Sequence, residues 1–162
     1  MKTLIVMRHA KSSWSDPGAQ DIDRPLNDRG VKSAKAIGEW LTFGGFVPNL
    51  VLCSNARRTA QTWRNLGLEA ELRFRAPLYH APAETILAEA RAADGECVLI
   101  LGHNPGIAEF ASLILDTPPS HARFRDYPTG ATLVAQFEGA WSDLSAGKAT
   151  ARAFTVPRDV ME

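Results

Sequence analysis

The chain has 162 residues with 18 basic and 18 acidic side chains, so it fits one folded domain and carries no overall field to gather nucleic acid or an anionic membrane. The apolar run before Arg8, Leu4 to Met7, is only four residues long, too short for a signal-peptide core, and no apolar run approaches the length of a membrane span. The expectation is a single domain over 1–162, soluble and cytoplasmic, with Cys53 and Cys97 as buried, inert thiols.

The first element is Thr3-Leu4-Ile5-Val6-Met7, a short apolar run that reads as a buried parallel strand and stops at Arg8-His9-Ala10. Ligands of open α/β sheets bind just beyond such strand ends. Residues 11 to 26 read as a loop punctuated by Asp16-Pro17-Gly18 and Asp23-Arg24-Pro25, and a loop of this length is often functional. With Trp14 it is assigned to the rim that would select a partner. Asn27 caps a helix whose stripe is Val31, Ala34, Ile37 and Leu41, and Gly44-Gly45 ends it.

A second strand, Leu50-Val51-Leu52-Cys53, runs into a helix from about Asn55 to Asn65 that carries Arg57 and Arg58. Glu84-Thr85-Ile86-Leu87 opens another helix, and Asp94-Gly95 precedes a third strand, Cys97 to Leu101, which runs into Gly102-His103-Asn104-Pro105-Gly106. Asn104 is expected to cap the next helix with Pro105 at its first position, and Ile107, Phe110, Ala111, Ile114 and Leu115 form its core stripe. Pro118-Pro119 closes that helix. Segments 132–137 and 151–156 read as two further strands around a short piece containing Trp141. The fold class is α/β: a three-layer α/β/α sandwich on a mainly parallel sheet with an antiparallel edge strand.

Three strand ends therefore carry His9, the Arg57-Arg58 pair and His103. A neutral imidazole nitrogen is a good nucleophile toward phosphorus, and a guanidinium holds phosphate oxygens by paired charge-assisted hydrogen bonds. The combination suits phosphoryl transfer through a phosphohistidine, and helix starts after Asn55 and Asn104 would add backbone N–H groups for an anion. The four histidines show no i, i+4 ligand spacing and no Cys/His cluster, so no metal or other cofactor is expected. His80 and His121 are read as structural, at the rim, or idle.

Arg8-His9-Ala10, Ser54-x-x-x-Arg58-x-x-Gln61-Thr62 and Gly102-His103-Asn104-Pro105-Gly106 together resemble the histidine phosphatase superfamily, also called the phosphoglycerate mutase-like or Arg-His-Gly family. Arg8 to Trp14, Asp23-Arg24-Pro25-Leu26-Asn27-x-x-Gly30, Leu78-Tyr79-His80-Ala81 and Phe154-x-x-Pro157-Arg158 are similar to its SixA-type phosphohistidine phosphatase branch, and the likeness spans essentially the whole chain. It implies that His9 is the nucleophile and that Arg8, Arg58 and His103 surround the transferred phosphoryl group without a metal. Its register selects Arg58 over Arg57. Ala10 stands where the superfamily usually has glycine, a change common in the SixA-like branch that should leave the chemistry intact.

Asn104, Ser15 and Glu84 are the candidate substrate contacts. Glu84 is also the candidate general acid for an alkoxide leaving group, or it simply favours the start of its helix. An imidazole leaving group, with a conjugate-acid pKa near about 6.5, needs that acid far less. The sequence reading is thus a metal-independent phosphohistidine phosphatase whose partner is a phosphorelay or phosphotransfer protein bearing phosphohistidine. A small-molecule phosphate-ester phosphatase and a non-catalytic phospho-ligand binding module are the alternatives.

Overall fold

The computed structural model describes residues 1–161. Six strands form one sheet: β1 (Lys2–Arg8), β2 (Leu50–Cys53), β3 (Glu71–Phe74), β4 (Cys97–Gly102), β5 (Thr132–Phe137) and β6 (Thr150–Thr155). Their order is β3-β2-β4-β1-β5-β6. The β3/β2, β2/β4 and β4/β1 pairs are parallel, whereas β5 runs antiparallel to β1 and to β6. The antiparallel part is two strands wide, because the hairpin-like β5–β6 pair adds as a unit.

Alternation along β1 builds the layers. Leu4 and Val6 face a core shared with Ile86 of α3 (Ala83–Arg91) and with Ile107, Phe110 and Ile114 of α4 (Gly106–Ile114). Ile5 and Met7 face the other way, onto Ile37 and Leu41 of α1 (Asp28–Phe43) and Trp63 and Leu66 of α2 (Arg57–Leu66). A strand buried on both faces has no room for polar alternation, which is why β1, β2 and β4 read as continuous apolar runs. A one-turn helix, α5 (Pro157–Val160), packs against α1. No helix is long and apolar enough to cross a membrane among the described residues.

Several boundaries differ from the sequence expectation. The second helix starts at Arg57, after Ala56 in the cap position, because Ser54 Oγ accepts the Ala56 N–H at 3.3 Å and keeps the preceding residues in a turn. The fourth starts at Gly106, with Pro105 in the cap position beyond a cis Asn104–Pro105 peptide, and Asn104 Oδ1 instead accepts from Ala108 N at 3.2 Å. Leu115 lies past that helix but remains buried. Strand β3 has no counterpart in the sequence reading: it is a half-exposed edge, Glu71-Leu72-Arg73-Phe74, too polar to show as an apolar run. Cys53 is buried, Cys97 is partly so, and both are free thiols, with burial pushing them up to about 12 and about 11.

Because β2, β4 and β1 are adjacent and parallel, their C-terminal ends lie side by side. Ser54, His103 and His9 follow those ends directly. The antiparallel β5 begins at the same edge, where Gly130 N–H donates to the carbonyls of Arg8 and His9 at 3.2 and 2.9 Å.

Candidate active site

A cavity of about 280 Å³ opens at these strand ends, lined by Arg8, His9, Arg58, His103 and Asn104 together with Lys11, Ser12, Trp14, Asp21, Arg24, His80 and Thr129. Five of the seven residues singled out from the sequence meet here. Ser15 and Glu84 do not. Ser15 lines a neighbouring cavity with Arg57 and bonds Ser13 Oγ at 2.8 Å, while Glu84 sits exposed in the first turn of α3, where its charge favours the helix start.

His9 is 6% exposed and its backbone N–H is tied to Gly102 O at 3.1 Å. Its ring Nδ1 lies 2.7 Å from Ala10 O. A carbonyl only accepts, so Nδ1 carries the proton and Nε2 keeps its lone pair. Burial pushes the ring down to about 3, assisted by the Arg8 and Arg58 charges and partly opposed by that hydrogen bond, so it is neutral at neutral pH. The Ala10 methyl is buried against Leu26 and Ala34, and Ala10 N–H donates to Thr62 Oγ1 at 3.0 Å; the methyl that replaces glycine's hydrogen is absorbed by packing away from the cavity.

His103, 2% exposed, stands 5.3 Å from His9 between ring centroids. An Arg58 NH2 donates to its Nδ1 at 3.3 Å, so Nε2 bears the proton and donates to the fully buried Ser54 Oγ at 2.8 Å. Burial, followed by the repulsion that a second proton on the neighbouring His9 would bring and by the Arg58 charge, pushes this ring down to about 3 as well. Arg8 donates to Tyr127 O at 3.2 Å but leaves Nε buried without a partner, the one such side-chain atom among the described residues. Asn104 Nδ2 donates to the same Tyr127 carbonyl at 2.9 Å, which fixes it beside Arg8.

The arginines separate cleanly. Arg58 is 2% exposed and enters the cavity, whereas Arg57 lines the neighbouring one and donates to Asp23 O at 3.5 Å. Arg58 is gripped by a residue that sequence reasoning passed over: Asp21, on a single 3-10 turn at 21–23, accepts from Arg58 through its carbonyl at 2.7 Å and its carboxylate at 3.0 Å. The same carboxylate accepts from Tyr79 and from His80 Nε2 at 3.0 Å. Burial alone would raise its pKa, but donation from Tyr79, His80 and Arg58 outweighs this and holds Asp21 below the usual carboxylate range. His80, read as idle or at the rim, lines the cavity with a positive φ of 51°. The signal for both was faint: Tyr79-His80 lay within a matched motif, and Asp21 had only its place in the loop.

Arg24 spans the loop. It donates to Ser13 O, Asp21 Oδ1 and Ser12 Oγ, and its guanidinium lies 3.2 Å from the ring centroid of Trp14, a residue 78% exposed at the cavity rim. No group of three or more His, Cys, Asp or Glu side chains is disposed to hold a metal ion among the described residues.

Two neutral imidazoles beside one buried and one partly buried guanidinium at the end of a mainly parallel sheet define an α/β protein suited to receiving a phosphoryl group. The comparisons with known proteins agree. A model of the histidine phosphatase superfamily (branch 1) matches residues 4–78. An uncharacterized protein of Mycobacterium tuberculosis is 35% identical over 159 residues, covering 94% of this chain and all of its own. The structure of a protein named phosphohistidine phosphatase SixA from Nakamurella multipartitia superposes with a TM-score of 0.84 at 35% identity, covering 96% of each chain. That of the protein histidine phosphatase SixA complexed with tungstate gives a TM-score of 0.79 at 21% identity over 98% of this chain and 99% of that one, a likeness of fold.

The chain belongs to the histidine phosphatase superfamily, in its SixA-type branch. It is a phosphatase of that superfamily.

Proposed function

We propose that residues 1–162 work as one histidine phosphatase-like domain, a phosphohistidine phosphatase acting on a protein-borne phosphohistidine in the cytoplasm, without a metal. The observation that carries the reading is His9: buried, neutral, its Nδ1 proton committed to Ala10 O and its Nε2 lone pair left free in a cavity that Arg8 and Arg58 also line.

In the first step His9 Nε2 attacks phosphorus in line, a P–N bond forms to the enzyme, and the P–N bond to the substrate breaks. The leaving imidazole nitrogen takes the electron pair and gains a proton from water. In the second step water attacks phospho-His9, its proton passes to bulk solvent, and inorganic phosphate leaves as Nε2 recovers its lone pair. Arg58 and Arg8 hold the equatorial oxygens, and the unpartnered Arg8 Nε is a donor that a phosphoryl oxygen would satisfy. His103 borders the phosphoryl position with Nε2–H held by Ser54 Oγ, and its Nδ1, accepting from Arg58, seats that guanidinium against the phosphoryl oxygens. Asn104 borders the cavity and orients Arg8 through their shared carbonyl.

The site supports a phosphoramidate over an ester. An alkoxide needs a protonated acid beside it, yet Glu84 lies outside the cavity and Asp21 is held ionised by its donors. An imidazole leaves without such help. The names of the SixA neighbours and the exposed Trp14 rim agree with a substrate presented by another protein, for which a phosphorelay or phosphotransfer protein is the candidate.

The test is phosphate release from a phosphohistidine-bearing protein in excess chelator, comparing wild type with His9→Ala beside a generic aryl phosphate. Release by wild type alone, faster on phosphohistidine, with a phospho-enzyme trapped on His9, is the expected result. Activity confined to the aryl phosphate would shift the reading to a small-ester phosphatase. Binding without a trapped phospho-enzyme would leave a phospho-ligand module.

A further inference from the structure

A second groove, about 170 Å³, adjoins the active-site cavity and shares Lys11 and Thr129 with it. Its lining includes the cations Lys11, Arg29, Arg123 and Arg158. Arg123 is neutralised by Asp126 at 2.9 Å. No carboxylate among the described residues lies within salt-bridge distance of Lys11, Arg29 or Arg158. Asp159, the neighbour of Arg158, is engaged with His121 at 2.6 Å.

The fold brings these charges together from three distant segments. Lys11 lies two residues beyond His9, and its carbonyl accepts Asn27 N–H at 3.0 Å. Gly30 sits so close to that carbonyl that any Cβ would collide with it, which seats the first turn of α1, and Arg29 with it, beside Lys11. Arg158 arrives on α5. In a chain whose charges balance, cations without a carboxylate partner among the described residues, converging on a groove that adjoins a phosphoryl pocket, make a local positive field where substrate must approach.

The three cations are exposed and lie on separate elements, unlike small-ligand sites, which enclose most of what they bind. A track of this kind matches an extended acidic segment, as in the Arg-cluster mode of acidic-motif recognition. We propose that the Lys11–Arg29–Arg158 groove docks an acidic polypeptide segment flanking the phosphorylated residue of the substrate protein, an inference that rests on the protein-borne substrate proposed above.

The experiment uses two fluorescein-labelled phosphohistidine peptides, alike except that the flanking residues are Glu in one and Gln in the other. Binding is read by fluorescence anisotropy on the His9→Ala protein, which does not consume them, with and without Arg29→Gln plus Arg158→Gln. The Glu peptide is expected to bind about tenfold tighter than the Gln peptide at low salt, and that gap should collapse in the double variant and at high ionic strength. On an intact His9 background, the double variant should turn over p-nitrophenyl phosphate at the wild-type rate, which also reports that it folds. Equal affinities for the two peptides, or a preference that survives the double variant, would overturn the assignment. Selective binding without phosphate release by wild type would leave the docking groove standing and sink the proposed reaction; release from both peptides with no affinity gap would do the reverse.

Discussion

Neutral histidines are the premise of the chemistry, and pH tests it directly. At pH 5 an imidazole of ordinary pKa, about 6.5, is about 97% protonated, whereas one at about 3 is about 1% protonated, so the free-base fraction differs about thirtyfold between the two cases. His9 and His103 are both placed at the lower value, by burial first. The assay is a set of 1H–15N spectra of histidine-labelled protein from pH 7.5 to 4, with His9→Ala and His103→Ala supplying the assignments. Both rings should remain neutral through pH 5, with His9 reporting its proton on Nδ1. A midpoint between pH 6 and 7 for the His9 signal would refute the reasoning, because the pocket would then not be dry enough to hold a free lone pair at neutral pH.

The same depression affects stability. Each ring binds its proton more readily unfolded than folded, so its stabilising contribution is complete above about pH 6.5 and declines as pH falls from there toward about 3, at up to about 1.4 kcal/mol per pH unit per ring. Urea midpoints at pH 7.5 and pH 5 should therefore differ, with the lower at pH 5.

Other substitutions probe the supports of the site. Ser54→Ala removes the partner of His103 Nε2 and should lower kcat at least about tenfold while costing about 1–3 kcal/mol of stability, read by turnover and thermal unfolding. Tyr127→Phe deletes a buried hydroxyl that donates to Val6 O at 2.6 Å, and should cost about 1–2 kcal/mol, a fall in Tm of about 2–8 °C, with activity nearly retained. Glu84→Gln, outside the cavity, should leave both ester and phosphohistidine turnover within about twofold of wild type, and a sharp loss of ester turnover would restore Glu84 as an acid.

What the sequence disclosed follows from how locally each feature is encoded. Strands β1, β2 and β4 are buried on both faces, so their apolar runs and the polar residues ending them stand out, and with them His9, Arg58 and His103. Strand β3 is stabilised by pairing with β2 while its side chains stay half-exposed, so it leaves little pattern. Asp21 was illegible for a different reason. Its importance comes from contacts with Arg58, Tyr79 and His80, 37 to 59 residues away, and nothing in an irregular loop announces such partners. Glu84 shows the converse, a residue type suited to acid catalysis that a helix start explains completely.

The grip of Asp21 on Arg58 bears on how often the enzyme is ready. A long arginine side chain free in solvent loses rotamer entropy each time it closes on an anion, up to about 2 kcal/mol. Here one carbonyl, one carboxylate and His103 Nδ1 hold the guanidinium before any substrate arrives, so that entropy is lost once, when the chain folds. On the proposed function, each incoming phosphoryl group would meet a clamp whose shape is already set, and after hydrolysis the same contacts would retain the arginine as phosphate departs. The pocket would thus emerge from one turnover in the form that begins the next.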